Sequence, residues 1–222
     1  IEQVFVATGA IWRKDGIGRT SRIPIEGLEQ VDVYSPDDIM NGTLLGQGPV
    51  VIYDDDQGYL GGVLADHLSD LGHDVLFVTS ASIVSPFTEL TLEQKQVQCS
   101  LVAQGVDIYT NRLVVGVSQK SGHVGVDLKC VYGGQDVWLA CASLLLVTER
   151  ESASPLYEQL QQLQKGDGTS MALSVTLIGD ALAPGLIADA VFSGHQGAQE
   201  FEADPGVVEQ GLFKREMPSL NS

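Results

Sequence analysis

The stretch from Val50 to Thr79 constrains the fold more tightly than any other part of the chain. A short apolar run, Val50 to Tyr53, breaks into a loop at Asp54 to Gly58. Beyond the loop Leu60, Val63, Leu64, Leu68 and Leu71 recur at i, i+3, i+4, i+8 and i+11, which is one face of a helix. Gly72 follows in the place where a left-handed residue ends a helix with no Cβ penalty. Val75 to Thr79 is then a second apolar run. Strand, glycine-bearing turn, helix, strand is the first half of a Rossmann-type βαβ unit.

The same alternation continues on both sides. Thr91-x-x-Gln94 has the spacing of a capping box and predicts a helix ending at Gly105, followed by a strand over Val106 to Tyr109. Leu113 to Ser118, Val124 to Val131 and Val137 to Ala142 read as antiparallel strands turning at Ser121-Gly122 and Gly133-Gly134. Leu144 to Val147 reads as a buried strand. Ser154 before Pro155 marks a helix start, with its end near Lys165-Gly166. Val175 to Ile178 is a strand leading into Gly179-Asp180, and a helix follows from Leu186 to about Phe201. Glu202 to Ser222 shows no period and reads as irregular. At the other end Ile1 to Val6 already reads as a buried strand, without a start methionine, so an incomplete piece lacking its upstream part is expected. Alternating strands and helices predict an α/β fold with a parallel sheet.

Composition narrows the function. The 222 residues suffice for one large domain or two small ones, and 44% hydrophobic residues supply a core. No apolar run approaches the roughly 20 residues that cross a bilayer, and no secretory signal opens the chain. Twelve basic against 29 acidic residues give a net charge of −17, which repels phosphate backbones and anionic lipid, so neither nucleic acid nor a membrane surface is an expected partner. Cys99, Cys130 and Cys141 form no C-x-x-C and are odd in number. That argues for a reducing, cytoplasmic setting and against a disulfide framework, a dithiol centre, a zinc site or an iron–sulfur site. Cys99 and Cys141 read as small core residues. His67, His73, His123 and His195 show no ligand spacing. Trp12 and Trp138 read as core or domain-interface residues, and Arg13 and Lys14 as basic residues within reach of a phosphate.

The expected phosphate turn is degenerate. G-x-G-x-x-G becomes Asp56-x-Gly58-x-x-Gly61, with Asp54 and Asp55 alongside. Carboxylates can meet the helix dipole themselves, and they repel a pyrophosphate that wants the same place. Two like charges about 4 Å apart cost about 1 kcal/mol in water and about 4 kcal/mol at an effective dielectric near 20. The ribose-binding acid due at the end of the second strand is absent, because Thr79-Ser80-Ala81 stands there. Thr148-Glu149 after the later buried strand also lacks a glycine. These residues predict a unit that has lost nicotinamide binding. The alternative is a hard divalent cation held by Asp54, Asp55 and Asp56.

Three stretches carry a resemblance: ATGAIWRKDG (Ala7 to Gly16), GHDVLFVTS (Gly72 to Ser80) and LIGDALAPGLIADAVFSGH (Leu177 to His195). Together they resemble, over nearly the whole chain, the C-terminal nucleotide-binding region of the trimethylamine dehydrogenase family, with dimethylamine and histamine dehydrogenases and 2,4-dienoyl-CoA reductases nearby. The resemblance implies two Rossmann-like units of the FAD/NAD(P)-binding, disulfide-reductase-like type. One is a partial FAD/ADP-binding-like domain of residues 1–47 and 149–222 without its first βαβ, and the other an inserted NAD(P)-binding-like domain of residues 48–148. It implies adenine-nucleotide contacts at Thr8, Gly9, Ala10, Gly179 and Asp180, and a degenerate second loop at Asp56, Gly58 and Gly61. An ordinary strand-to-loop turn at Thr8-Gly9 and an Asx-type turn at Asp180 are the plainer readings. The implied function is a non-catalytic ADP- or FAD-binding region of a flavin and iron–sulfur amine dehydrogenase or related NADH:flavin oxidoreductase. FMN and a 4Fe–4S cluster are implied only upstream, in a barrel that is a partner within a homo-oligomeric parent. The alternatives are an active FAD/NAD(P)H reductase module and a nucleotide-free assembly domain. An incomplete FAD-like half is also expected to expose sheet edge and apolar surface.

Overall fold

The computed structural model describes residues 3–166, 174–201 and 203. In chain order its early elements are β1 (Gln3–Val6), β2 (Ala10–Trp12), β3 (Asp32–Tyr34), α1 (Pro36–Met40), β4 (Val50–Asp54), α2 (Tyr59–Asp70) and β5 (Val75–Thr79). Then come α3 (Gln94–Ala103), β6 (Asp107–Tyr109), β7 (Arg112–Lys120), β8 (His123–Cys130) and β9 (Val137–Ala140). The last are β10 (Ser143–Val147), β11 (Arg150–Ser152), α4 (Pro155–Gly166), β12 (Ser174–Leu177) and α5 (Ile187–Glu200). The irregular tail expected from Glu202 lies outside the described residues, Ala203 excepted.

The chain forms two units, one of residues Ile1–Ile11 with Glu151–Ser222 and one of Trp12–Arg150. The boundary therefore falls at Trp12 rather than at residue 48. The reason is pairing and packing within the larger unit. β3 hydrogen-bonds to β10 with Asp32 opposite Ser143, and Ile25 and Ile39 are buried in that unit's two cores.

The larger unit holds a five-stranded parallel sheet in the order β3-β10-β4-β5-β6. Its strands read as continuous apolar runs because both faces are covered. The period of two sorts them. Val50, Ile52, Phe77, Leu145 and Val147 face α2 and α3, meeting Leu64, Leu68 and Leu101. Val51, Tyr53, Val78, Leu144 and Leu146 face the antiparallel sheet β7-β8-β9, meeting Val114, Val117, Val126 and Leu128. Ser121 and Gly122 both have positive φ, 52° and 84°, as a two-residue hairpin turn of the twist-matched kind requires.

The helix expected from the Thr91 capping box starts at Gln94 without that cap. The Thr91 hydroxyl bonds instead to the Thr88 carbonyl and the Glu93 carboxylate, and the Glu93 side chain makes no bond that caps the helix. α3 also turns Cys99 outward, so this cysteine is exposed rather than core, whereas Cys141 is buried. Trp12 packs partly buried against the helix-side core with the Arg150 guanidinium over its ring, and Trp138 lies on β9 under Lys120.

In the smaller unit β1 and β12 pair in parallel, Gln3 opposite Ser174 through Val6 opposite Leu177. α5 approaches this pair closely, since a Cβ on Gly197 would sit 3.0 Å from the Phe5 ring. Several apolar side chains of α5 remain exposed, Ile187 at 81% and Val191 at 64%, along with Leu186 just before it at 74%.

Candidate functional site

The carboxyl ends of β4, β5 and β10 frame the crevice where a doubly wound sheet binds its ligand. Here it is lined by the chain's own carboxylates. The Asp55 and Asp56 backbone amides both donate to the Val147 carbonyl, at 2.9 and 3.0 Å, which ties the turn after β4 to the end of β10. Asp54 points under α2. Its Oδ1 accepts the Gln57 N–H at 2.9 Å, while its buried Oδ2 has no partner. Gly61 is the residue that lets it fit, for a Cβ there would lie 2.6 Å from the Asp54 carboxyl carbon. Burial, reinforced by the charges of Asp56 and Asp55 and opposed by the Gln57 N–H, pushes the Asp54 acid up to about 8. A neutral acid is the form that tolerates such a place. Asp56 folds back over Gly58, where a Cβ would lie 2.6 Å from its Oδ2. Burial raises its pKa too, against the lowering pull of Arg150 and Arg19.

Asp55 is buried and fully engaged. Its Oδ2 accepts the Thr20 N–H at 2.7 Å and its Oδ1 the Ser80 hydroxyl at 2.7 Å. Ser80 is the residue standing where a ribose-binding acid was due. Its one proton goes to Asp55, so it accepts from the Gln57 side-chain amide and from the Thr20 hydroxyl, each at 2.9 Å. Among the described residues no group of three or more histidine, cysteine, aspartate or glutamate side chains is arranged to hold a metal ion. Arg13 pairs with Asp15, and Lys14 with Asp38 at 2.6 Å.

In the smaller unit the parallel register brings two turns to one edge. With Val6 opposite Leu177, Thr8-Gly9-Ala10 and Gly179-Asp180 both leave the carboxyl ends of their strands. Gly9 has φ 78° and nothing within 4 Å of where its Cβ would be, so both its conformation and the space beside it suit close backbone approach by a ligand. The Thr8 hydroxyl donates to the Ala153 carbonyl. Gly179, φ 60°, donates its N–H to Ser193 Oγ at 3.0 Å, and Asp180 Oδ1 accepts the Gly185 N–H at 3.1 Å. Asp189 accepts the Leu186 N–H at 2.8 Å and so caps α5 with its own carboxylate.

Over 96% of its length the chain is 32% identical to dimethylamine dehydrogenase of Hyphomicrobium sp. (strain x), of which it spans 31%. The chain is a homologue of dimethylamine dehydrogenase. The structure of histamine dehydrogenase from Rhizobium sp. 4-9 superposes on this homologue with a TM-score of 0.84 at 36% identity, covering 98% of this chain and 32% of that one. The 6-hydroxypseudooxynicotine amine oxidase of Pseudomonas geniculata N1 follows at 0.82 and 35%, covering 91% and 29%. A HOCl-induced flavoprotein disulfide reductase of Escherichia coli shares the fold, with a TM-score of 0.60 at 20% identity. No protein-family model matches the chain. The amine dehydrogenase homologue thus has the α/β, Rossmann-like fold of the FAD/NAD(P)-binding oxidoreductases. Among its described residues no helix is long and apolar enough to cross a membrane.

Of the residues singled out in the sequence, the structure gathers Thr8, Gly9, Ala10, Gly179 and Asp180 at one sheet edge, and Asp56, Gly58 and Gly61 at a different one. The sequence reading missed Thr20 and Gly18, which reach Asp55 from a segment without periodicity. The only signal available was the paired glycines of Gly16-Ile17-Gly18 soon after A-T-G-A.

Proposed function

We propose that this chain is the non-catalytic, adenine-nucleotide-holding region of a flavin-dependent amine dehydrogenase. The nucleotide lies at the edge formed by Thr8, Gly9, Ala10, Gly179 and Asp180. The carrying observation is the β1–β12 register, which sets both turns at the carboxyl ends of adjacent parallel strands with open space beside Gly9. ADP suits the edge better than FAD. Asp180 already accepts the Gly185 N–H, and Asp189 takes the Leu186 amide at the entry to α5 that a longer cofactor would otherwise meet. The FMN and 4Fe–4S chemistry belongs, in this reading, to a barrel in the part of the relatives that this chain does not span. That barrel and a second copy of the parent are its partners, and the exposed apolar residues around the start of α5 supply surface for such contacts.

The test is to denature the full-length protein and identify the released small molecule by mass and absorbance. The expected result is ADP and no FAD among the released molecules, whatever FMN the barrel carries, with the ADP reduced in occupancy by Asp180→Ala. Release of FAD that NADH had bleached beforehand would establish the reductase module instead. Release of no nucleotide would leave an assembly domain.

A further inference from the structure

The segment Gly16–Arg22 is far from the inserted βαβ in sequence, yet it makes contacts at the βαβ's ligand edge. Thr20 touches both halves of that edge: its N–H bonds Asp55 at the turn after β4, and its hydroxyl bonds Ser80 at the end of β5. In a dinucleotide-binding unit these two places serve the pyrophosphate and the adenosine ribose. Gly18 lies flat on Asp55, for a Cβ there would run into the carboxylate. Gly16 is pressed on Ile25 in the same way with φ 80°. The segment is fastened further by Arg19, 4.7 Å over the Phe87 ring, and by Arg22, whose guanidinium meets both Glu149 carboxylate oxygens at 3.0 Å. Asp55 and Ser80, which the segment contacts, are both buried.

We propose that Gly16–Arg22 is a resident surrogate ligand, an internal strap that fills the dinucleotide crevice of the larger unit and shuts NADH and NADPH out. The Asp55 carboxylate reverses the usual polarity of the site. Instead of main-chain amides receiving a phosphate, an acid on the turn receives an amide from the strap. A dinucleotide entering here must break the two Thr20 bonds and expose a buried carboxylate to its own phosphates. This stands apart from the nucleotide reading of the smaller unit, so loss of ADP binding there leaves it untouched.

Hydrogen exchange on the full-length protein tests it. The Thr20 amide is expected to exchange slowly although its side chain is exposed, and to be unchanged by excess NADH or NADPH. Asp55→Ala should speed it by about tenfold or more, while Asp55→Asn, which keeps an acceptor, retains most of the protection. Amides of Val51 and Ile52 in β4 report whether Asp55→Ala has merely unfolded the unit. If it has, Ser80→Ala replaces it, with faster Thr20 exchange and tryptic cleavage after Arg19 expected. A Thr20 amide exchanging at the free rate in the unaltered protein overturns the strap, as does NADH-induced protection of residues 54–61.

Discussion

Asp54 lies beneath Gly61 with one oxygen held by the Gln57 N–H and the other without a partner, and its pKa is pushed up to about 8 from 3.8. The folded chain therefore keeps a proton that the unfolded chain releases. For a carboxyl raised in this way, the stability it allows is fully present below pH 3.8 and is lost as the pH climbs towards about 8. The slope approaches about 1.4 kcal/mol per pH unit between those limits. Asp54→Asn replaces the acid with a neutral group of the same shape. Melting curves of the two proteins should nearly coincide below about pH 4, and the variant should melt progressively higher than the parent as the pH rises to about 8, with no further widening above it. A gap that stays constant across this range would mean that Asp54 carries no unusual proton. Gly61 is tied to the same contact. Gly61→Ala drives a methyl to 2.6 Å from the Asp54 carboxyl carbon and should destabilise by about 1–3 kcal/mol in denaturant titration. Gly46→Ala, where nothing lies within 4 Å and φ is not positive, should be neutral or slightly stabilising.

Elements differ in how far their sequence announces them. β4, α2 and β5 were legible because each carries a period over its full length, apolar runs for the strands and a repeating face for the helix. β2, β3 and β11 have three residues each, too few for a period. β3 also exists only by pairing with β10, more than a hundred residues away. The same distance hid half of the candidate site. The missing acid at Ser80 was visible in the sequence, while the arrival of Thr20 beside it was not, since nothing local encodes a contact across sixty residues. The β7–β8 turn gives an element-scale test. Ser121 sits at φ 52°, a conformation that asparagine tolerates better than serine. Ser121→Asn should raise the midpoint of thermal unfolding by an amount equivalent to a few tenths of a kcal/mol up to about 1. A lowered midpoint would show that the hairpin is not held by that turn type.

At the scale of the whole chain the two units are unequally built. Among the described residues Val6 and Ala181 are the only buried apolar side chains of the smaller unit, while every other one belongs to Trp12–Arg150. Apolar burial is the main favourable term in folding, at roughly 25 cal/mol per Å², so the larger unit has a core of its own, while the described residues of the smaller unit supply little. The continuous segment Trp12–Arg150 should consequently fold when expressed alone and lose its structure in one cooperative step. In the 222-residue chain, slowly exchanging amides should concentrate in β4, β5 and β10 rather than in β1 and β12. A nucleotide held at the Gly9 and Gly179 edge would act where that protection is weakest. Adding ADP to the full-length protein should slow exchange in β1 and β12 and leave β4, β5 and β10 as they were. Equal protection of both units without nucleotide would mean that the smaller unit is stabilised by something other than its ligand edge. An ADP effect confined to β4 and β5 would move the nucleotide to the crevice that Thr20 now fills.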